Sequence, residues 1–214
     1  MAVRQPIAPA GQLCGLFAID IAAFTDQRRD EHVQLYLRDS MYRMLDRAFT
    51  GAGVRWRACR HEDRGDGVLV VLPPGLPVDK LADPLPERLR GLVRVHNRVS
   101  SRDARIQLRA AAHMGPVYQD AHGYAGDAVS QLFRLLDAPR FKQALATSGR
   151  ELGFIASDYL YRTVILRHAT LVDPAEFRPV PVPALGPDVN GWAHIPGAVA
   201  QEASILPFDR PGRP

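Results

Sequence analysis

Residues 16–25 read LFAIDIAAFT, an apolar run into which a single carboxylate, Asp20, is set. Runs of this kind are typical of strands that are buried on both faces. An ionised carboxylate is costly to bury unless something positive meets it. We therefore expect Asp20 to meet a metal ion or a basic side chain, or to lie exposed at the end of its strand.

A long amphipathic helix is expected after the turn that follows this strand. Over residues 29–49, apolar side chains recur at helical spacing, namely Val33, Leu37, Met41, Met44, Leu45 and Ala48. The N–H groups of the turn and the dipole of the helix both favour an anion at this point. A carboxylate just before such a turn is well placed to hold a phosphate through a metal ion.

The remaining pattern predicts a single α+β domain. Strands are predicted at residues 13–21, 54–60, 68–72, 106–113 and 154–156, with final edge strands at 177–182 and 192–195. The sheet is expected to continue at Val117, after Gly115. Helices are predicted after Asp83-Pro84, after Gly126 and around residues 141–146. We expect the domain to cover residues 12–196, between a flexible arm at 1–11 and a C-terminal tail at 197–214.

The composition excludes several classes of protein. The 214 residues suffice for one large domain, and 46% of them are hydrophobic, which is enough for a core. The net charge of +4 is small and spread along the chain, so it gives weak support for nucleic-acid binding. Cys14 and Cys59 lack metal-type spacing and are expected to be reduced thiols. No apolar run approaches the roughly 18 residues of a membrane span, so we expect a cytoplasmic protein with no membrane partner.

A second carboxylate, Asp66, lies in the charged segment HEDRGDG at residues 61–67, just before an apolar strand. If that strand pairs with the first one, Asp66 comes close to Asp20. Two adjacent carboxylates repel each other unless cations lie between them, and two-metal phosphoryl-transfer sites use this arrangement. The alternative is an ordinary solvated hairpin turn, because Asp-Gly is a common hairpin signal.

Ser130 and Arg134 are four residues apart and so share one face of the helix predicted after Gly126. Arginine is a natural partner for a phosphate group. The alternative is a surface arginine or a structural ion pair.

These motifs, in this order, resemble the catalytic domain of class III nucleotidyl cyclases, the adenylate/guanylate cyclase family. FAIDIAAFT resembles the metal-binding strand of the family, and DRGDGVLVVLP resembles its second metal-binding hairpin. RAAAHMGPV resembles its His-x-Gly-x-Val strand, with His113, Gly115 and Val117, and GYAGDAVSQLFRLLDA resembles its transition-state helix. The resemblance implies a ferredoxin-like fold with a mixed, mostly antiparallel sheet on which helices pack. It also implies a head-to-tail homodimer with composite sites.

The resemblance assigns roles residue by residue. Asp20, Asp66 and the backbone of Ile21 match the metal ligands, which implies two Mg²⁺ or Mn²⁺ ions in each site. Residues of the following turn match the triphosphate-binding backbone, namely Ala22, Ala23, Phe24 and Thr25. Arg134 and Ser130 match the pair that stabilises the transition state, and Glu62 and Gly123 match the base-selecting pair. A carboxylate at the position of Glu62 accepts hydrogen bonds from guanine and disfavours adenine.

Three positions depart from the family pattern. Ser130 replaces an asparagine with a shorter side chain, and Gly123 offers no side chain at all. The phosphate-binding lysine of the family has no match near the C-terminus, where residues 177–196 contain no lysine and only Arg178 carries a positive charge. The loss of one preorganised donor costs about 10²–10³ in rate.

Three hypotheses follow. The first is a nucleotidyl cyclase that converts a nucleoside triphosphate into a 3′,5′-cyclic nucleotide and pyrophosphate in a homodimer. The second is an impaired cyclase-like domain that binds nucleotide and acts as a signalling module. The third, a nucleic-acid module, is disfavoured because no aromatic pair on adjacent strands provides a stacking platform.

Overall fold

The computed structural model of the chain describes residues 11–168 and 171–196. The arm expected at residues 1–11, except Gly11, and the tail expected at 197–214 lie outside the described residues.

A twisted sheet forms the centre of the described residues. In chain order its strands are β1 (Gln12–Ile21), β2 (Arg60–Asp63), β3 (Gly67–Leu72), β4 (Leu108–Gln119), β5 (Tyr124–Ala125), β6 (Leu152–Ser157), β7 (Arg178–Pro181) and β8 (Asn190–His194). Their spatial order is β2-β3-β1-β4-β6-β8-β7, and the short β5 pairs with the end of β4. The β4–β6 pair is parallel and the other pairs are antiparallel, so the predicted mixed, mostly antiparallel sheet is confirmed.

Helices cover both faces of this sheet. They are α1 (Glu31–Gly51), α2 (Leu85–Val99), α3 (Asp127–Leu136), α4 (Pro139–Ser148), α5 (Asp158–Leu160) and α6 (Leu166–His168), the last two joined by a π-helical turn (Tyr161–Ile165). Side chains of β1 alternate between the faces because successive residues of a strand point to opposite sides. Phe17, Ile19 and Ile21 pack in the core beneath α1 and α2. Leu16 and Ala18 pack in the core beneath α3 and α4, on the face to which Asp20 also belongs.

Two predicted elements are wrong in detail. The strand predicted at 54–60 is a 3₁₀ turn (Trp56–Ala58) followed by β2, because the Trp56 ring packs 5.1 Å from Phe49 and stacks 3.8 Å from His61. The last strand was predicted at an edge, but β8 lies inside the sheet between β6 and β7. The edge position of β7 is confirmed, and it tolerates Pro179 and Pro181 because an edge strand leaves half of its N–H groups unpaired.

His113, on β4, is a buried polar residue at the centre of the sheet. Its ring is 7% exposed, and a 2.9 Å hydrogen bond joins its Nδ1 to Ser157 Oγ at the end of β6. Ser157 also caps α5, where its hydroxyl accepts a hydrogen bond from the Leu160 N–H at 3.3 Å. Burial lowers the pKa of His113 to about 4, so the folded protein holds this ring neutral.

Cys14 and Cys59 are buried free thiols, as the sequence predicts. Among residues 11–168 and 171–196, no helix has both the length and the apolar character needed to cross a membrane.

The depressed pKa of His113 predicts a pH-dependent stability. The ring titrates near 6.5 when unfolded and near 4 when folded, so its stabilising effect is present above pH 6.5 and is lost as the pH falls towards 4. We expect protonation of His113 to lower the free energy of unfolding by about 3 kcal/mol between pH 6.5 and pH 4. Urea unfolding of the wild type and of His113→Gln between these pH values measures the difference, with the exposed His32→Gln as control. Parallel pH profiles for the wild type and His113→Gln would contradict the prediction.

Candidate functional site

Asp20 and Asp66 lie side by side where β1 meets β3. In the register of this pair Asp20 faces Gly67, and the Ile21 N–H donates a 3.0 Å hydrogen bond to the Asp66 carbonyl. A side chain at Gly67 would place its Cβ 2.2 Å from the Ile19 carbonyl oxygen, so only glycine fits there. The long-range pairing that the sequence could only suppose therefore brings the two acidic residues together.

Arg109 is the basic partner of Asp20. It lies opposite Asp20 in the β1–β4 pair, and its Nε and Nη2 donate hydrogen bonds of 2.7 and 2.8 Å to the two carboxylate oxygens. The two side chains are only 16% and 13% exposed. Sequence reasoning missed Arg109, although it is a charged residue at the start of an apolar strand, which is the same signal that singled out Asp20.

Burial is the main reason why the pKa of Asp20 is raised. The Arg109 guanidinium lowers the pKa but does not cancel the effect of burial, and the charges of Asp66 and Asp137 add smaller raising effects. A divalent cation beside Asp20 and Asp66 would favour the ionised form of both carboxyl groups.

The chemistry of these donors fits a hard divalent ion. Mg²⁺ is commonly held by one or two carboxylates together with water and substrate phosphates. Within the described part of the chain, no third histidine, cysteine or carboxylate joins Asp20 and Asp66. The Ile21 side chain is a hydrocarbon without a donor atom, so only the backbone carbonyl of Ile21 could serve as a ligand. A cation at this site competes with Arg109 for Asp20.

The hairpin that carries Asp66 is fixed to α1 through Asp63. Its carboxylate accepts hydrogen bonds from the Tyr42 hydroxyl at 2.6 Å, from Arg38 at 2.7 Å and from the Gly65 N–H at 2.9 Å. These contacts limit the freedom of the turn at residues 64–66, where Gly65 has a positive φ of 84°. Asp66 therefore lies in a turn whose conformation is restrained by hydrogen bonds to Asp63.

The turn at residues 22–25 contains three N–H groups without an acceptor in the described residues. Ala22 is an exception to the expected phosphate-binding backbone, because its N–H donates to the Gln107 carbonyl at 2.8 Å. In the described residues nothing accepts a hydrogen bond from the N–H of Ala23, Phe24 or Thr25. Ala23 has a positive φ of 53°, and successive free N–H groups beside such a residue form a concave anion site.

Arg29 holds this turn in place from behind. Its guanidinium donates to the carbonyls of Ala22 and Ala23 at 3.2 and 2.8 Å and to the Arg105 carbonyl at 2.9 Å. With its carbonyls bound in this way, the turn has little freedom to reorient its N–H groups.

A cleft of about 510 Å³ opens between this turn, α1 and the β2–β3 hairpin. Its lining includes Phe24, Thr25, Gln34, Arg38 and Asp66. The volume lies within the usual range of small-molecule sites, about 300–1,000 Å³.

Glu62 and Gly123 also come together, on the face of the sheet covered by α3. The Tyr124 N–H donates to Glu62 Oε2 at 3.2 Å, and a Cβ on Gly123 would lie 2.8 Å from the same oxygen. Arg64 pairs with Glu62 Oε1 at 2.7 Å, and its guanidinium carbon lies 5.0 Å from the centre of the Phe133 ring. Arg64 is a second residue that sequence reasoning missed.

Ser130 and Arg134 lie on the exposed face of α3. Among the described residues neither contacts Asp20 or Asp66, and no carboxylate pairs with Arg134. Arg178 does not supply the missing basic group, because its guanidinium donates to the carbonyls of Ala175 and Phe177. The structure thus forms two groups of site residues, one around Asp20 and one around Glu62 and α3.

Three solved structures share this architecture. An adenylate/guanylate cyclase/hydrolase from Silicibacter pomeroyi matches with 19% identity and a TM-score of 0.59, over 86% of this chain and 97% of that chain. The non-canonical dimeric guanylyl cyclase domain of the RhoGC fusion protein from the aquatic fungus Blastocladiella emersonii matches with 17% identity and a TM-score of 0.60, over 88% of this chain and 97% of that chain. The guanylate cyclase domain of RhGC from Catenaria anguillulae, in complex with GTP, matches with 18% identity and a TM-score of 0.54, over 87% and 96%.

The fold is therefore that of the catalytic domain of class III nucleotidyl cyclases, as the motifs predicted. No protein-family model matches the sequence, and no curated protein matches it either. The chain is a divergent sequence on a cyclase fold.

The Asp20–Arg109 pair predicts a measurable coupling. In a double-mutant cycle with Asp20→Asn and Arg109→Met in metal-free buffer, we expect a coupling of about 1–3 kcal/mol in unfolding free energy, because a largely buried bidentate pair is broken. Saturating Mn²⁺ should reduce the coupling, because the cation replaces the guanidinium at Asp20.

The exposed pair Arg43–Asp39 on α1 is the matched control, with an expected coupling below about 0.5 kcal/mol that Mn²⁺ leaves unchanged. A coupling at Asp20–Arg109 that is insensitive to Mn²⁺ would argue against Asp20 as a metal ligand.

Proposed function

We propose that this chain is the catalytic domain of a class III nucleotidyl cyclase, which converts a nucleoside triphosphate into a 3′,5′-cyclic nucleotide and pyrophosphate. The observation that carries the proposal is the position of Asp20 beside Asp66, next to a turn with three free N–H groups. Carboxylates for divalent cations and N–H groups for phosphate oxygens are the two components that a nucleoside triphosphate requires. The likeness to cyclase catalytic domains supports the same activity.

The chain's own residues bind and orient the substrate. Two Mg²⁺ or Mn²⁺ ions held by Asp20, Asp66 and the Ile21 carbonyl would lower the pKa of the ribose 3′-hydroxyl and neutralise the phosphates. The N–H groups of Ala23, Phe24 and Thr25 donate to phosphate oxygens. Arg109, once released from Asp20, adds a positive charge that attracts the triphosphate.

The reaction needs no nucleophile from the protein. The ribose 3′-oxygen forms a bond to the α-phosphorus and loses its proton to solvent. The bond between the α-phosphorus and the bridging oxygen breaks, and pyrophosphate leaves with that oxygen. Negative charge rises on the α-phosphate oxygens during this exchange, so a positioned guanidinium stabilises the transition state.

A second copy of the chain supplies that guanidinium in this proposal. Ser130 and Arg134 face solvent on α3 and do not contact the aspartates of their own chain, so they are available to a neighbouring site. In a head-to-tail homodimer each α3 would face the Asp20–Asp66 site of the partner. The non-canonical dimeric guanylyl cyclase domain from Blastocladiella emersonii supports dimer formation by this fold, and the head-to-tail arrangement is part of our proposal.

An impaired cyclase that binds nucleotide and acts as a signalling module is the second candidate. It is favoured by the short Ser130 side chain and by the commitment of Arg178 to backbone carbonyls. The presence of two adjacent carboxylates favours the enzyme, since like charges without a cation destabilise the fold.

Incubation of the purified protein with Mn²⁺ and each of the four ribonucleoside triphosphates, with products read by mass spectrometry, tests the proposal. We expect a cyclic nucleotide from the wild type and none from Asp20→Ala or Asp66→Ala. Arg134→Ala should lower turnover by about 10²–10³ with little change in nucleotide affinity, because its contact forms in the transition state.

Arg140→Ala on α4 is the matched control, since Arg140 is an exposed arginine of the same helical layer and should be neutral. Product from Asp20→Ala would contradict the metal assignment. Nucleotide binding by calorimetry without product from the wild type would favour the signalling module.

A further inference from the structure

Glu62 and Arg64 form an ion pair, and no other charged group of the described residues takes part in it. Arg64 Nη2 lies 2.7 Å from Glu62 Oε1, and the two side chains are 41% and 27% exposed, so a ligand can reach both. Apart from its contact with Glu62, Arg64 pairs with no carboxylate of the described residues. A guanidinium has five N–H donors in one plane, so the pair leaves several of them unused.

Each member of this pair is fixed by a further contact. Glu62 Oε2 accepts the Tyr124 N–H, which fixes the carboxylate beside the β4–β5 hairpin. The Arg64 guanidinium lies over the Phe133 ring, and Phe133 is the residue before Arg134 on α3. Cation–π contact restrains the guanidinium without using its N–H donors. The pair is therefore held in place before any ligand arrives.

Gly123 makes this arrangement possible. A Cβ at this position would lie 2.8 Å from Glu62 Oε2 and 3.2 Å from its Cδ, and Gly123 also has a positive φ of 137°. Any other residue would displace the carboxylate. The position that could have supplied a second base-reading side chain instead makes room for Glu62, so a donor has to come from elsewhere.

The pair presents two acceptors and a donor side by side. The Watson–Crick edge of guanine offers the complementary pattern: the 2-amino group and N1–H donate, and O6 accepts. A carboxylate oxygen has two lone pairs, so Glu62 can accept from guanine while it keeps its contacts with Arg64 and the Tyr124 N–H. Adenine has an acceptor at N1 and an amino donor at C6. Its acceptor would face the Glu62 carboxylate, which also accepts, and its donor would face the Arg64 guanidinium, which also donates.

We propose that Arg64 is a specificity-determining residue that donates to O6 of a guanine base while Glu62 accepts from N1–H and the 2-amino group. The inference rests on the proposed function, because it assigns the base of the same nucleotide. The substrate is then a guanine nucleotide. Arg64, from the β2–β3 hairpin, provides the base contact that Gly123 cannot provide because it has no side chain.

Binding of 3′-deoxynucleoside triphosphates, which cannot cyclise, tests the proposal without any dependence on turnover. Calorimetry in Mn²⁺ compares the guanosine, inosine and adenosine forms on the wild type, Arg64→Ala, Arg64→Lys and Glu62→Gln. Arg57→Ala removes an exposed positive charge from the neighbouring 3₁₀ turn and is the matched control.

We expect the wild type to prefer the guanosine form over the adenosine form by about 5- to 150-fold, the usual discrimination of a bidentate base contact. Arg64→Ala should weaken the binding of the guanosine form and of the inosine form to the same extent, because both carry O6. It should leave the affinity for the adenosine form unchanged. Arg64→Lys should restore part of the preference, because an ammonium group also donates to O6. Glu62→Gln should penalise the guanosine form more than the inosine form, which lacks the 2-amino group.

Two results would overturn the proposal while the proposed function stands. In the first, Arg64→Ala keeps the preference for the guanosine form. In the second, Arg64→Ala loses the same amount of affinity for all three nucleotides, which indicates a merely structural role. A wild type that binds none of the three nucleotides would overturn both proposals together.

Discussion

The buried pairing of Asp20 with Arg109 is the interaction on which the rest of this site depends. The strand pairings of β1 place Asp66 beside Asp20 and Arg109 opposite it. Arg109 donates to both carboxylate oxygens of Asp20, yet burial still raises the pKa of this carboxyl group. In the proposed function a divalent cation would stabilise the ionised carboxylates and would bind the triphosphate.

Rigid elements surround this charged centre. Arg29 binds the carbonyls of the turn after β1, and Asp63 fastens the β2–β3 hairpin to α1. Neither of these contacts uses the groups that we propose to bind ligand, because Arg29 binds carbonyls and Asp63 is a neighbour of Asp66 in the hairpin. Such preorganisation matters for electrostatic catalysis, since groups that need not reorient cost nothing at the moment of reaction. The group around Glu62 follows the same rule, with Tyr124 and Phe133 as its braces.

Much of the fold was predictable because its signals are local and strong. The run around Asp20 predicts a buried strand, and the apolar spacing after it predicts α1. The errors arise where side-chain packing overrides the local pattern. The aromatic stacking of Trp56 turns a predicted strand into a 3₁₀ turn, and strand order alone moves β8 from the edge into the sheet.

The sequence by itself singled out Asp20 as a candidate site residue, because a carboxylate within an apolar run is unusual enough to stand out. It also determined the order of the motifs and hence the fold class. Only the tertiary structure decided the partners. Arg109 meets Asp20 through strand register across 89 positions of sequence, and the Arg64 side chain extends from the β2–β3 hairpin to the Phe133 ring on α3. Register and hairpin placement arise from long-range packing, and local patterns carry no information about either.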